Sequence, residues 1–226
     1  MVRLLTFRSE MCYIDHVSEE NEMFTYIEML EMFKNIKQET LNTLNESKPS
    51  KDNKGYRGQV LEKLLGLKLS SALTDLIDGE LKTFTIKESI SISMLKHLLN
   101  EIVSGVKFED STLFRKMVRT IYVGFDKDTG IYQGYKGVDL TEDPELFNKM
   151  KEDYEFICEE IRRYLQDGVQ LETINGPNML LQIRTKASKK SDGTYTPLKF
   201  NGEVIKNKSM SFFVRASYGR SLKLVR

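Results

Sequence analysis

The ionisable side chains Asp75, Glu80 and Lys82 lie in a largely apolar stretch with the sequence LTDLIDGELKTFTI. Burying charge without partners is unfavourable, so the combination calls for a chemical reason. Two carboxylates suit a hard divalent cation such as Mg²⁺, which keeps several waters and engages phosphate groups. The cation lowers the pKa of a bound water, and a nearby lysine can orient that water or offset developing charge. The cluster therefore fits phosphodiester hydrolysis.

The dipeptide Asp78-Gly79 predicts the element that carries these charges. Asp-Gly is a preferred pair in the two-residue type I′ turn of a β-hairpin. A turn centred there places Asp75 opposite Lys82, and the alternation of side chains puts Glu80 on the same face. A surface ion pair on a hairpin is the competing interpretation, because the pattern D-x-x-x-x-E-x-K is weak when taken alone.

Around this stretch, the spacing of apolar residues predicts further helices and strands. Helical spacing covers residues 22–44, 56–67 and 143–168. Strand patterns cover residues 118–126, 130–138, 178–187 and 211–219. Gly66 ends the second helix, and Asp143 followed by Pro144 begins the third, because capping residues and proline favour that position. Residues 85–103 fit a strand followed by a helix, with the boundary open. The order predicts a mixed α/β or α+β sheet covered by helices.

Composition indicates a folded protein of the cytoplasm. Of the 226 residues, 40% are hydrophobic and 30% charged, a globular balance, and no segment approaches the roughly 18 apolar residues of a membrane span. The first sixteen residues lack the apolar run of a signal peptide. Cys12 and Cys158 could pair but cannot form a disulfide framework, and His16 and His97 have no metal-ligand spacing.

The net charge of +1 hides an asymmetry along the chain. From residue 184 to the end, eleven Lys/Arg face only Asp192 and Glu203, which leaves this part at +9 and the first 183 residues at −8. Such a distribution predicts a polyanion-binding face built from the late elements. A solvated basic tail is the alternative, but the alternating apolar residues of SMSFFVRASYGRSLKLVR indicate that this part is folded.

Several segments resemble the MutH and GATC-cutting restriction endonuclease family, part of the PD-(D/E)xK nuclease superfamily. GELKTFTI resembles the family's G-x-E-L-K-T-I-P segment, and NKGYRGQVLEKLLG resembles its NKGxxGxxxExxLG helix. EDSTLFRKMVRTIYV resembles the segment with the family's further lysine, and EDPELFNKMKEDYEFICEEIRRYLQDG its long helix. GPNMLLQIRTKAS is similar to the G-x-x-L-x-I-R-P-K-A strand that contacts DNA, and SFFVRASY to the closing FYLRRSF strand. The similarity keeps this order over residues 24–222.

The resemblance implies a restriction-endonuclease-like mixed sheet flanked by helices, in one domain over residues 1–226. Residues 24–115 would form a lobe with the catalytic hairpin, and residues 116–226 a lobe with the long helix and the basic strands, about a DNA-binding cleft. The implied activity is Mg²⁺-dependent, sequence-specific cleavage of double-stranded DNA at a GATC-like site, in restriction or mismatch repair. Repair or restriction proteins are possible partners, no membrane is involved, and both a monomer and a DNA-induced dimer remain open.

The family also implies roles for individual residues. Asp75 and Glu80 would bind the metal with the Leu81 carbonyl, and Lys82 would position the attacking water. The assisting residues would be Glu62 and Lys116. The DNA-contacting residues would be Arg184, Lys186 and Arg215.

Two departures from the family keep alternatives open. Fewer residues than usual separate Asp75 from Glu80, and Thr74 stands where the family has proline, so Asp78 is a competing metal ligand. Thr185 replaces the proline of the DNA-contacting strand. A catalytically silent DNA-binding module of the same fold is the second hypothesis, and a protein-binding domain with an incidental charged hairpin is the third.

Overall fold

The computed structural model describes residues 24–36, 40–41, 43–46, 55–67, 73–168, 171–187 and 189–225. Within them lie six α-helices: α1 (Tyr26–Asn35), α2 (Tyr56–Leu64), α3 (Leu99–Val103), α4 (Thr112–Met117), α5 (Pro144–Asp167) and α6 (Ala216–Ser221). The strands are β1 (Glu80–Thr85), β2 (Ile90–Met94), β3 (Arg119–Phe125), β4 (Tyr132–Asp139), β5 (Ile174–Asn175), β6 (Leu181–Thr185), β7 (Leu198–Phe200), β8 (Glu203–Lys206) and β9 (Met210–Val214). Short 3-10 helices cover Thr43–Glu46, Leu95–His97 and Phe108–Asp110.

The strands form three sheets. The first has the order β1-β3-β4, the second β2-β9-β6-β5, and β7 and β8 form a separate hairpin. β1 is an edge strand parallel to β3, with Glu80 beside Thr120 and Lys82 beside Tyr122. The other described pairs are antiparallel. Helices with mixed sheets confirm the predicted α+β class.

The first sheet lies between two hydrophobic clusters, because its strands present apolar side chains on both faces. Leu81 and Ile121 belong to the cluster that also contains apolar residues of α1 and α2. Phe84 and Tyr122 belong to the larger cluster, which contains apolar residues of α5 and of the second sheet. β1 therefore carries residues of both clusters at the place where the predicted catalytic residues lie.

The predicted helix ends hold where capping chemistry decides them. The Asp143 side chain accepts a hydrogen bond from Leu146 N at 3.0 Å, Pro144 is the first residue of α5, and Gly168 follows its end with φ +69°. Gly66, with φ +74°, follows α2. The predicted helix over residues 22–44 is wrong in its length: α1 ends at Asn35 because the next residue is extended.

The predicted hairpin over residues 73–86 is wrong. Only its second half is a strand, β1, and this strand pairs with β3 rather than with the residues before Gly79. Residues 73–78 form a series of bends, in which Leu76 N donates to Gly79 O at 3.0 Å and Ile77 N donates to Phe24 O at 2.9 Å. Asp75 is consequently not a cross-strand neighbour of Lys82.

The remaining boundaries differ in detail from the sequence pattern. β2 and the 3-10 helix Leu95–His97 resolve the open boundary within residues 85–103. The last predicted strand, residues 211–219, ends at Val214 because α6 begins at Ala216. The β7–β8 hairpin had no clear signal in the sequence. Among the described helices, none has the length and apolar character that crossing a membrane requires.

The cysteine and histidine predictions fall on both described and undescribed residues. Cys158 lies buried in α5 as a free thiol, and burial raises its pKa to about 12. A thiol in that state packs as a small apolar group. His97 is exposed. Cys12 and His16 lie outside the described residues.

Candidate active site

The exposed edge of the first sheet holds a buried carboxylate with two lysine partners. Glu80, the first residue of β1, is only 2% exposed. Its Oε1 accepts hydrogen bonds from Lys82 Nζ on the same strand and from Lys116 Nζ of α4, the latter at 3.4 Å. Its Oε2 is also buried but has no hydrogen-bond partner among the described residues. One oxygen of this carboxylate is therefore satisfied and the other is available to a ligand.

The bends before β1 bring Asp75 to the same edge by a route that differs from the predicted hairpin. Asp75 Oδ2 accepts a hydrogen bond from Leu81 N at 3.1 Å. Asp75, Lys82 and Thr83 line a cavity of about 200 Å³ together with Glu62 of α2. The residues that the sequence selected thus lie together, although the predicted strand pairing that led to them is absent.

The pKa of Glu62 is shifted by its burial and by the charges around this cavity. Burial raises the pKa of Glu62, and the charges of Asp75 and Glu80 raise it further, whereas the ammonium of Lys82 lowers it. The three carboxylates and the lysine are therefore close enough to interact electrostatically. A cation that entered this cavity would relieve the mutual repulsion of the carboxylates.

A second set of contacts fixes the loop that carries Asp75. Asp78 Oδ1 accepts from Tyr26 N and Asp78 Oδ2 from Arg119 Nη1, each at 2.7 Å. Arg119 Nε also donates to Asp139 Oδ2 at 2.8 Å. Both oxygens of Asp78 are therefore occupied by structural partners, and Asp78, the competing metal ligand of the sequence, does not line the cavity.

Two further contacts hold this loop against β1. Lys116 Nζ donates to the carbonyl of Leu73 as well as to Glu80, which ties the start of the loop to the buried carboxylate. A Cβ at Gly79 would lie 2.8 Å from Arg119 O, so the close approach of the loop to β3 requires glycine. Lys116 and Gly79 thus position Asp75 rather than line its cavity.

The side chains of this edge fit a magnesium ion better than a metal that needs an all-protein cage. No group of three or more His, Cys, Asp or Glu side chains with metal-holding geometry occurs among the described residues. Mg²⁺ is usually held by one or two carboxylates together with waters and substrate phosphates. Asp75 lines the small cavity, and Glu80, which does not line it, keeps a buried oxygen without a partner in the described part of the chain, so these two carboxylates are the candidates for that smaller donor set.

Two basic residues of the C-terminal part, Arg184 and Lys186, line a larger neighbouring cavity of about 600 Å³. The guanidinium of Arg184 stacks 4.4 Å from the ring centre of Phe213 in β9. Lys186 Nζ donates to Ser91 Oγ of β2 at 2.8 Å. Desolvation of the ammonium and the charge of Lys82 lower the pKa of Lys186. The predicted DNA-contacting strand therefore lies next to the carboxylate–lysine cluster, which consists of Glu62, Asp75, Glu80 and Lys82.

Arg215, the third predicted DNA contact, is placed elsewhere. It precedes α6, and its Nη1 donates to Asn175 Oδ1 of β5 at 2.5 Å. It lines neither cavity. The structure therefore brings seven of the eight predicted residues to one region and leaves Arg215 as a contact between β5 and α6.

Two residues of this region, Arg57 and Arg119, and the buried Asp153 of α5 outside it were not singled out in the sequence. Asp153 lies on the buried stripe of α5, so a carboxylate at an apolar position was the available signal. Arg57 and Arg119 gave no signal, because an arginine in an amphipathic segment is ordinarily solvated.

Comparison with protein-family models found no matching family, and comparison with curated proteins found no significantly similar sequence. The site is therefore interpreted from its own geometry.

Proposed function

We propose that this protein is a Mg²⁺-dependent endonuclease that hydrolyses phosphodiester bonds in double-stranded DNA. The observation that supports the proposal most directly is the buried Oε2 of Glu80, unpartnered among the described residues. Lys82 contacts the other oxygen of this carboxylate, and Glu80, although it does not line the cavity, is close enough to raise the pKa of Glu62 in it. A buried carboxylate oxygen without a donor is unfavourable, so a site that retains one is suited to a cation. The restriction-endonuclease-like fold, the two lobes and the cytoplasmic location belong to the same proposal.

The residues of the site divide the chemical work. Asp75 and Glu80 would hold the metal, and Glu62 would add negative charge beside it. When bound, Mg²⁺ supplies Lewis-acid polarisation of the phosphoryl group and a more acidic water. Lys82, held in place by Glu80, orients the attacking water and offsets negative charge on the phosphoryl oxygens. Lys116 keeps the Asp75 loop beside Glu80 through its two hydrogen bonds.

Recognition is assigned to the neighbouring cavity. Arg184 is exposed, and its contact with the ring of Phe213 holds the guanidinium at the cavity, a placement suited to contact with a guanine edge. Lys186 lines the same cavity as Arg184 and is close enough to Lys82 for that charge to lower its pKa, which suits a backbone phosphate near the cut bond. A GATC-like site, in restriction or in mismatch repair, is the proposed target on the basis of the sequence resemblance.

Cleavage of supercoiled plasmid tests the proposal. We expect conversion to nicked or linear DNA with Mg²⁺ and none with excess chelator. Lys82→Ala should lower the cleavage rate by about 10²–10⁴-fold, the range of a positioned proton-transfer or water-orienting group. Duplex binding in Ca²⁺ should stay near that of the wild type. The matched control is Lys149→Ala, which removes an exposed, ion-paired lysine of α5.

The alternatives predict different outcomes of this experiment. Duplex binding without cleavage in any divalent cation identifies a silent DNA-binding module, and no duplex binding at all rejects both. Methylated, hemimethylated and unmethylated plasmids, with mapping of the cut ends, then define the sequence and show whether one strand or both are cut.

A further inference from the structure

The larger cavity contains two arginine–phenylalanine stacks, and each sheet supplies the phenylalanine of one of them. Arg184 stacks on Phe213 in the second sheet at 4.4 Å. Arg57, on α2, stacks on Phe125 of β3 in the first sheet, with its Cζ 4.8 Å from the ring centre. All four side chains line the same cavity, which also contains Lys186. The cavity therefore has a cation beside each of the two sheets, and Glu88, which also lines it, is paired with Lys127.

Arg57 is held in place by the β3–β4 turn. Its Nη2 donates to Gly130 O at 3.2 Å. Gly130 has φ +72°, and a Cβ at this position would overlap Nη2, so glycine leaves room for the guanidinium in this position. Burial also lowers the pKa of Arg57. A cation that is fixed and partly desolvated loses little entropy or hydration when an anion binds to it.

The position of Arg57 joins the two cavities. Arg57 lines the larger cavity, and the next residue of α2, Gly58, lines the smaller one with Glu62 and Asp75. Thr83 of β1 lines both. A polyanionic strand that extends from the carboxylate–lysine cluster into the larger cavity would therefore pass Arg57.

We propose that Arg57 binds a backbone phosphate of the DNA strand that is cut, close to the scissile bond and on the first-sheet side of the cavity. The inference rests on the proposed endonuclease function and adds a phosphate contact on the catalytic side to the predicted contacts of Arg184 and Lys186. Arg57 is a positioning residue in this scheme, since it contacts the substrate backbone and no reacting atom.

A purely structural role for Arg57, as a tie between α2 and the β3–β4 turn, makes a different prediction. If Arg57 only ties α2 to the turn, its replacement lowers the stability of the protein and weakens binding of all duplexes only through loss of folded protein. A phosphate contact contributes to the salt dependence of binding, with a slope of about 0.9 per phosphate neutralised on B-form DNA. It also makes binding sensitive to the charge of one particular phosphate.

The test measures duplex binding in Ca²⁺ from low to moderate salt for the wild type and three variants. Arg57→Ala should reduce the salt slope by about one unit, and Arg57→Lys should restore most of it because the charge is kept. The matched control is Arg163→Ala, which removes an arginine stacked on Tyr164 in α5, outside both cavities. Thermal unfolding of each variant identifies any loss of folded protein.

A second readout locates the contact. Neutral methylphosphonates are placed one at a time along the duplex near the cut site. One substitution should weaken binding of the wild type several-fold and leave Arg57→Ala unaffected, because the two changes remove the same interaction.

The outcomes separate this inference from the proposed function. An unchanged salt slope and an unchanged methylphosphonate profile for folded Arg57→Ala overturn it, even if the wild type cuts DNA. A wild type that binds duplex without cutting, with the reduced slope in the variant, supports the phosphate contact and rejects catalysis. Absence of duplex binding overturns both.

Discussion

Two buried carboxylates, Asp153 in α5 and Glu80 in β1, are treated differently by the residues around them. Asp153 is fully buried and accepts three backbone hydrogen bonds, from Asn178 N at 2.6 Å and from Leu180 N and Leu181 N at 2.8 Å each. Both of its oxygens are used. Glu80 is almost as deeply buried, yet its lysine partners contact only Oε1, and Oε2 has no partner among the described residues.

Under the proposed function, this difference separates a structural charge, Asp153, from a metal-binding one, Glu80. Asp153 fixes the segment that leads into β6, and a Cβ at Gly176 would overlap its carboxylate, so the local backbone is adapted to it. Glu80, in contrast, has hydrogen-bond partners among the described residues at Oε1 only, and both of them are lysines. A half-satisfied buried group is less stable than either a satisfied one or an apolar one, and this cost is the reason that the proposed function assigns Glu80 a ligand-binding role.

The largest expected effect comes from Glu80. Glu80→Gln should lower Mg²⁺-dependent cleavage by about 10³-fold, since several kcal/mol of charge stabilisation depend on the metal. It should also abolish the rise in melting temperature that Mg²⁺ gives the wild type by binding the folded state. Cleavage assays and thermal unfolding with and without Mg²⁺ measure both. The control is Glu155→Gln, at an exposed position of α5.

If Glu80→Gln kept both cleavage and the Mg²⁺-dependent rise in melting temperature, Glu80 would be a structural carboxylate like Asp153, and the contrast between the two residues would have no functional meaning.

Asp153 should give a large effect of the other kind. Asp153→Ala leaves three buried N–H groups without an acceptor and should lower the free energy of unfolding by about 3 kcal/mol, at 1–3 kcal/mol per unsatisfied group before water enters. Asp153→Asn keeps one carbonyl oxygen and should lose less. Urea denaturation measures the change. Cleavage per folded molecule should stay near that of the wild type, whereas loss of activity in fully folded Asp153→Asn would contradict a purely structural role.

The comparison also shows what could be predicted from the sequence. The residue types at the site were predictable because carboxylates and lysine in an apolar stretch imply a chemical role whatever the local geometry. The ends of α5 and α2 were predictable because capping residues and glycine act within one helical turn. The turn between β3 and β4 was predictable for the same local reason.

The predictions that were wrong concern contacts between distant residues. Asp78-Gly79 was interpreted as a hairpin turn from local preference, but Asp78 is bound by Tyr26 and Arg119, which lie 52 and 41 positions away. Parallel pairing of β1 with β3 likewise has no local signal. Arg57 and Asp153 depend on residues 73 and 25 or more positions away, so their roles could not be predicted from spacing.

The third prediction sharpens the contrast within one loop. Asp75 has one oxygen on Leu81 N and lines the small cavity, whereas both oxygens of Asp78 are bound by Tyr26 and Arg119. Asp75→Asn should therefore reduce cleavage by up to about 100-fold through weaker metal binding. Asp78→Asn should lower the free energy of unfolding by about 1 kcal/mol, with little change in the Mg²⁺ requirement.

Titration of cleavage with Mg²⁺, together with urea denaturation, distinguishes the two variants. If Asp78→Asn raised the Mg²⁺ requirement and Asp75→Asn did not, the metal ligand of this loop would be Asp78 and the assignment to Asp75 would be wrong.

The same contrast, between charged groups with and without an ionic partner, applies to the cations of the basic C-terminal part, residues 184–226. Lys206 is satisfied, because its Nζ donates to Leu171 O and to Glu172 Oε1. Lys186 donates to the neutral Ser91 hydroxyl, and no carboxylate of the described residues lies within ion-pair distance of it. Arg184 stacks on Phe213 at the mouth of the same cavity. Under the proposed function, Lys186 and Arg184 are therefore the cations expected to contact DNA, and Lys206 is not.

The smallest expected effects follow from this arrangement. Arg184→Ala should weaken cognate binding by roughly 1–3 kcal/mol and relax discrimination at one position of the site, as expected for a base contact. Lys186→Ala should weaken all duplexes about equally and reduce the salt slope by about one unit, as expected for a phosphate contact. Lys206→Ala, in the same +9 part of the chain, is the control and should change neither quantity. Binding in Ca²⁺ to cognate and scrambled duplexes over a range of salt concentrations measures all three. Equal salt slopes for Lys186→Ala and Lys206→Ala would mean that Lys186 contributes no more to DNA binding than the ion-paired Lys206. The residues that recognise DNA would then lie outside the larger cavity.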